Sequence, residues 1–234
     1  MSPFAVIIPA KNEAATIRAV AASVAAYAPE ATVIIVDDNS TDETMSEAKK
    51  AKGVIIVHSA VTLGIGGAVQ LGIKSAMRLG IDVCVRMDGD GQHDARFIGQ
   101  LVSKVSPGSI VVGSRTRTWF FRCSDPVRFV GSVFFRILFR LFTGARVKDP
   151  TSGFVCFGKD VSRQFCKYFP TEYPEIESSV LLLRAGYSIV TVPVEMMPRC
   201  GGHSSITVFR SMVYMVSVTI AFFVSFFRKN PYRK

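Results

Sequence analysis

An α/β fold built on a parallel, helix-covered sheet is predicted by three observations. Short apolar runs rich in Val and Ile recur through the first half, stretches of helical periodicity separate them, and the connections are only a few residues long. Strands joined through helices in this way lie parallel, with right-handed crossovers. Such sheets bind ligands beyond the carboxyl ends of their strands, which is where the acidic residues of this chain gather.

Phe4-Ala5-Val6-Ile7-Ile8, ended by Pro9, is the first strand. A helix follows over about 12–27, with Glu13 in its first turn and Ile17, Val20 and Val24 on one face. Val33-Ile34-Ile35-Val36 then runs straight into Asp37-Asp38-Asn39. Ser40 and Glu43 have the spacing of a capping box, which makes them structural and leaves Asp37 and Asp38 facing the crevice. After a third strand, Val54-Ile55-Ile56-Val57, comes Leu63-Gly64-Ile65-Gly66-Gly67. A dinucleotide fingerprint would need a third glycine where Val69 stands. These glycines therefore serve either close approach of backbone amides to a ligand or tight helix–sheet packing.

The fourth strand, over 81–87, delivers Asp88-Gly89-Asp90-Gly91-Gln92-His93-Asp94. Asp88 and Asp90 are two residues apart, so in extended backbone they leave the same side of the chain and can converge on one cation. A hard divalent ion takes such oxygen ligands and keeps room for a substrate phosphate. A calcium hand is disfavoured, because His93 and Gly99 stand where it needs glycine and glutamate. A fifth strand, over 109–113, ends at Ser114-Arg115.

With 234 residues, 49% of them hydrophobic, and a mean hydropathy of +0.32, the chain has room for one core plus an appendage and is more apolar than a freely soluble domain needs. Ten Lys and Arg face eleven Asp and Glu through Ser114, against eighteen and seven from Arg115 onward. A near-neutral half joined to a basic, Phe-rich half implies a face for anionic lipid or phosphate. Nucleic acid is disfavoured as a partner, since the basic residues sit among Phe, Leu and Val rather than in polar arms. The five cysteines are scattered without a Cys-x-x-Cys pair, which argues for a reducing compartment and against structural zinc. No signal peptide precedes Phe4, so the catalytic body is expected to face the cytoplasm.

Beyond Arg115, residues 126–142 read as a helix with Phe129, Val130, Val133, Phe134, Ile137 and Leu141 on its apolar face and Arg128, Arg136 and Arg140 gathered elsewhere. It either lies flat in a membrane interface or packs on the sheet. Asp149-Pro150-Thr151-Ser152-Gly153 is a turn into Phe154-Val155-Cys156-Phe157. Glu172, Glu175 and Glu177 open a helix reaching Ala185, as dipole partners or as site residues. A strand over 189–194 precedes Arg199, Gly201, Gly202, His203, Ser204 and Ser205, a polar loop able to grip an oxyanion. Residues 211–227 carry no charge and as a helix are about 25 Å long, short for a bilayer. They cross the membrane once, lie in it, or pack against a partner's helices.

Taken together and in order, these motifs resemble the inverting family 2 glycosyltransferases, specifically the polyprenyl-phosphate type typified by dolichyl-phosphate mannose synthase. Ile8-Pro9-Ala10-Lys11-Asn12-Glu13 and Val36-Asp37-Asp38-Asn39-Ser40-Thr41-Asp42 are similar to the family's nucleotide-binding segments. Asp88-Gly89-Asp90-Gly91-Gln92-His93 resembles its metal motif and Gly113-Ser114-Arg115 its arginine signature. Asp149-Pro150-Thr151-Ser152-Gly153-Phe154, and Arg199 with Gly202-His203-Ser204-Ser205, resemble its acceptor-side motifs.

The resemblance implies a GT-A fold, a Rossmann-like mixed sheet with helices on both faces, over 1–205, followed by a hydrophobic membrane-associated helix and basic tail over 206–234. It implies that Pro9, Ala10, Glu13, Val36, Asp38, Asp88, Gly89 and Asp90 bind a nucleotide sugar and that Asp90 and Gln92 hold Mg²⁺ or Mn²⁺. Gly89 stands where Ala is frequent in the family, a change that spares the carboxylates. The motif is more similar to users of UDP-glucose or UDP-N-acetylglucosamine than of GDP-mannose. The Gln-x-x-Arg-Trp signature of processive synthases is absent, which favours a single transfer.

A lipid phosphate acceptor is already anionic and needs cations to hold it, and Arg115, Arg117 and Arg199 are the candidates, with Asp90 and two of these, Arg115 and Arg199, as the catalytic set. Asp149, Glu175, His203, Ser204 and Ser205 complete the expected acceptor side. A hydroxyl acceptor would instead need a carboxylate base, for which Asp149, Glu175 or Glu177 would serve. A non-catalytic nucleotide-sugar-binding scaffold is the contrasting reading, and intact Asp88, Asp90 and Gln92 speak against it. Membrane lipids, and a small membrane protein or a second copy of the chain, are the expected partners.

Overall fold

The sheet is organised around β1 (Phe4–Ala10), every residue of which is buried. Phe4, Val6 and Ile8 point into the core on one face, Ala5 and Ile7 into the core on the other, as the two-residue period of a strand covered on both sides requires. β2 (Thr32–Asp37) and β4 (Val83–Arg86) flank it in parallel, and β3 (Val54–His58) pairs parallel with β2 at one edge. Beyond β4 the expected parallel pattern is interrupted. β6 (Val155–Phe157) runs antiparallel to both β4 and β5 (Ser109–Arg115), and β7 (Ser188–Val194) pairs parallel with β5. The order is β3-β2-β1-β4-β6-β5-β7, a mixed sheet. The computed structural model describes residues 3–115, 126–197 and 208–232.

Helices cover both faces. α1 (Ile17–Tyr27), α2 (Thr44–Lys49) and α4 (Ile98–Ser103) bury Ile17, Val20, Val24, Ala48, Ile98 and Leu101 on one side. α3 (Gly64–Arg78), α6 (Lys159–Lys167) and α7 (Pro174–Arg184) bury Val69, Ile73, Phe165 and Leu181 on the other. α3 approaches the sheet closely at Gly72, where a Cβ would stand 2.3 Å from Ile7 Cγ2.

Two local expectations are corrected. The first helix begins at Ile17 rather than near residue 12, because Asn12 takes a left-handed φ of 56° and the chain turns before it can coil. The capping box is not formed. α2 begins at Thr44, the Thr44 amide donates to Asp42 Oδ1 at 3.0 Å, and Ser40 Oγ accepts from the Asn12 amide at 3.0 Å. The polar residues of this loop thus tie the β1 and β2 ends together.

A third core joins α5 (Pro126–Thr143) and α8 (Val208–Phe227) to α7, through Phe135, Phe139, Ile176, Val180, Val218 and Phe222. Phe139 and Phe222 meet edge to face with centroids 5.2 Å apart. α8 therefore packs on this chain's own helices, and among the described residues no helix is long and apolar enough to cross a membrane. Behind it Arg184 Nη1 donates to the carbonyls of Ser225 and Arg228, while buried Tyr232 sets its ring against Phe165. The outward side is apolar: Ile137 and Leu141 of α5 and Val216, Ile220, Val224 and Phe227 of α8 are exposed, with Arg136 and Arg140 exposed beside them.

Candidate active site

The carboxyl ends of β1, β2 and β4 and the start of α3 enclose a cleft of about 360 Å³. Seven of the residues expected to bind the nucleotide line it, namely Pro9, Ala10, Glu13, Asp38, Asp88, Gly89 and Asp90. Val36 does not; it is buried in β2, in register with Pro9. Lys11 and Thr62 form the rim, Lys11 Nζ donating to Thr62 Oγ1 at 2.8 Å.

Asp38 is committed within the wall of this cleft. Its two carboxylate oxygens accept from the amides of Leu63 at 2.6 Å and Gly64 at 3.0 Å, anchoring the start of α3, where Gly64 has a φ of 74°. Asp37, buried, accepts from His58 Nδ1 at 2.8 Å. Of the two uses left open for the glycine cluster, packing holds for Gly66, where a Cβ would stand 2.0 Å from the Pro170 carbonyl oxygen.

The acidic loop is held from several sides. Thr16 Oγ1 donates to the Gly89 carbonyl at 2.7 Å, and a Cβ at Gly89 would stand 3.3 Å from the Pro9 carbonyl oxygen. The Gln92 amide donates to Asp90 Oδ1 at 3.0 Å, and the Met197 amide to the Gln92 carbonyl at 2.9 Å. His93 stacks on Phe154 with ring centroids 4.9 Å apart, and its Nδ1 accepts from the Asp88 amide at 2.9 Å. Burial pushes its pKa down, which keeps the imidazole neutral and able to accept that bond. Beneath Asp88 lies Arg86, whose Nη2 reaches Asp88 Oδ1 at 3.2 Å and Glu175 Oε1 at 2.6 Å.

The donor set suits a hard divalent cation. Two carboxylates in an open cleft leave coordination sites for phosphate oxygens and water. Among the described residues no group of three His, Cys, Asp or Glu closes an all-protein cage. Gln92 lies two residues beyond Asp90 in sequence but is not among the residues lining the cleft.

The acceptor-side carboxylates are each engaged by a protein group. Asp149, fully buried, binds Arg115 with Nε at 2.6 Å and Nη2 at 2.6 Å, and Arg115 Nη2 also donates to Thr151 Oγ1 at 2.6 Å. Glu175 is paired with Arg86, and Glu177 accepts from the Tyr173 amide at 3.2 Å and Ser225 Oγ at 3.1 Å. Arg117, Arg199, His203, Ser204 and Ser205 lie outside the described residues. Buried cysteines supply no nucleophile, since burial pushes the Cys84 thiol up to about 12 and raises that of Cys156 as well.

Sequence reasoning missed Thr16 and Arg86. A threonine just before a helix is unremarkable in isolation, whereas an arginine inside an apolar strand was a visible signal.

The profile of glycosyl transferase family 2 matches residues 5–159. Among curated relatives, undecaprenyl-phosphate mannosyltransferase of Micrococcus luteus is 27% identical over 219 residues, covering 86% of each chain. Polyprenol monophosphomannose synthase of Mycolicibacterium smegmatis is 26% identical over 216 residues, covering 83% of this chain and 77% of that one. Among solved structures, glucosyl-3-phosphoglycerate synthase of Mycobacterium tuberculosis, in complex with Mn²⁺, UDP and phosphoglyceric acid, superposes with a TM-score of 0.74 at 20% identity, covering 97% of this chain and 80% of that one. At that identity the likeness concerns the fold.

Proposed function

The chain belongs to glycosyl transferase family 2, and we propose that it moves one sugar from a nucleotide sugar to a polyprenyl phosphate at a membrane surface, with inversion and with a divalent metal. The observation that carries this reading is the cleft, in which Asp88 and Asp90 stand opposite the β1 end and the start of α3. The names of the two relatives supply the acceptor class. The commitment of Asp149, Glu175 and Glu177 to protein partners supports it, because a hydroxyl acceptor needs a base whereas a phosphate arrives ionised.

In this reading Pro9, Ala10, Glu13 and the Asp38-anchored start of α3 hold the nucleoside, and Asp90, with Asp88 beside it and Gln92 as a further ligand, would hold Mg²⁺ or Mn²⁺. The cation, when bound, offsets the negative charge that develops on the departing diphosphate. Arg115, together with Arg117 and Arg199, steers the acceptor phosphate, alongside His203, Ser204 and Ser205. The exposed apolar face of α5 and α8, fringed by Arg136 and Arg140, is read as the surface that rests on anionic lipid, with the catalytic domain on the cytoplasmic side.

For the donor, the acidic motif favours UDP-glucose or UDP-N-acetylglucosamine, and the relatives named for mannosyl transfer favour a mannosyl donor such as GDP-mannose as the second reading. Incubating membranes that contain the protein with a panel of labelled nucleotide sugars and undecaprenyl or dolichyl phosphate, with and without EDTA, tests the whole proposal. The expected result is label in the lipid extract from one donor, abolished by EDTA. Label found only in water-soluble product would overturn it.

A further inference from the structure

Arg86 is unusual for its place. It ends β4 in the middle of the sheet, in register with Ile7 on one side and Val155 on the other, and its side chain is 4% exposed. Its Nε is one of two buried side-chain polar atoms among the described residues that lack a partner. An aliphatic side chain would suit this position without the cost of desolvating a charge.

What Arg86 gains lies at its tip. Nη2 alone touches two carboxylates that arrive from different directions, Asp88 from the floor of the donor cleft and Glu175 from the first turn of α7. Gly153 closes over the pair, for a Cβ there would stand 2.8 Å from Asp88 Oδ2 and 3.1 Å from Arg86 Nη2. A carboxylate that lines the cleft is thus oriented by a buried cation, and that cation is itself braced by Glu175.

We propose that Arg86 is a positioning residue for the donor site: it fixes the Asp88 carboxylate in the orientation that a nucleoside diphosphate and its cation require, and Glu175 acts through Arg86 rather than on the acceptor. The inference rests on the reading of the cleft as the donor site, and is independent of which acceptor is used.

The test is calorimetric titration of UDP and of GDP, each with MnCl₂, into the full chain without acceptor. Wild type, Arg86→Met, Glu175→Gln and the double variant are compared, with folding followed by circular dichroism. Arg86→Met should weaken nucleotide binding about tenfold and Glu175→Gln several-fold, and the double variant should bind within about a factor of two of Arg86→Met alone. A residue that merely contacted the acceptor would leave these titrations unchanged. Nucleotide affinity within about twofold of wild type in Glu175→Gln, or a double variant at the product of the two single losses, would overturn the proposal. If Arg86→Met fails to fold, Glu175→Gln decides alone, by the same criterion. Wild-type protein that binds neither nucleotide would overturn the donor-site reading itself, and the inference with it.

Discussion

Replacing Thr16 by valine should loosen the acidic loop without altering any carboxylate. Thr16 is buried just ahead of α1, and its Oγ1 donates to the Gly89 carbonyl, between Asp88 and Asp90, at 2.7 Å. Valine keeps the branched shape, so the loss is confined to the hydroxyl, whose other contacts, to the Glu13 carbonyl and Oε2, are longer at 3.3 Å each. A buried carbonyl deprived of its partner costs about 1–3 kcal/mol. For a chain of this size that lowers Tm by about 2–12 °C. The freed loop no longer presents its carboxylates in one fixed geometry, so the donor KM should rise as well. Scanning calorimetry and initial-rate kinetics with varied donor read the two effects, and Thr16→Ser, which keeps the hydroxyl, serves as the control. Wild-type Tm and donor KM in Thr16→Val, or equal damage in Thr16→Ser, would refute the claim that this one bond holds the loop to α1.

Three further outcomes are expected. Asp90→Asn should lower the transfer rate about 100-fold or more while leaving Tm near that of wild type, as measured by lipid-extractable label and calorimetry. Burial holds the His93 imidazole below its ordinary value of 6.5, so the unfolded chain takes up a proton before the folded one does, and stability is lost as pH falls from about 7 through 6.5 toward the depressed folded value. His93→Gln should flatten that part of the stability–pH curve in urea unfolding. Ile220→Glu with Val224→Glu, on the exposed side of α8, should abolish cosedimentation with vesicles containing phosphatidylglycerol and leave Tm unchanged.

The first four strands were legible because each is a short apolar run, and because β1 has apolar residues on both faces, although β1 runs on through Pro9 to Ala10 instead of ending at the proline. The cleft was legible for the same reason: its residues sit at those strand ends, where local sequence dictates exposure. What escaped were pairings across long sequence separations. Nothing local to Ser40 and Glu43 reveals that Ser40 would receive the Asn12 amide from another strand end instead of capping α2. Nor does the turn at Asp149 reveal that both oxygens of its carboxylate would be met by Arg115. The reversal of β6 was equally hidden, since three residues between a turn and a helix carry no mark of direction. The hydrophobic stretch near the carboxyl end had the composition for several environments, and its position was decided by Phe135, Phe139 and Val180 on elements far away in sequence.

These long-range pairings bear on the chemistry. A sugar hydroxyl attacking the donor must lose its proton to a base that can approach it, and a carboxylate is the usual choice. Asp149 has no exposed surface and meets a guanidinium edge, Glu177 is taken up by a backbone amide and a serine hydroxyl, and Glu175 is turned inward onto Arg86. An arrangement of this kind places acidic groups as braces for cations and helix starts. An acceptor that comes already charged asks only for alignment and for opposite charge, and alignment is what a rigid cleft floor, pinned by Thr16, His93 and Arg86, is built to provide. The same braces sort the arginines: Arg86 is used internally and Arg115 is oriented by Asp149, while Arg136 and Arg140, beside the apolar face of α5 and α8, are exposed.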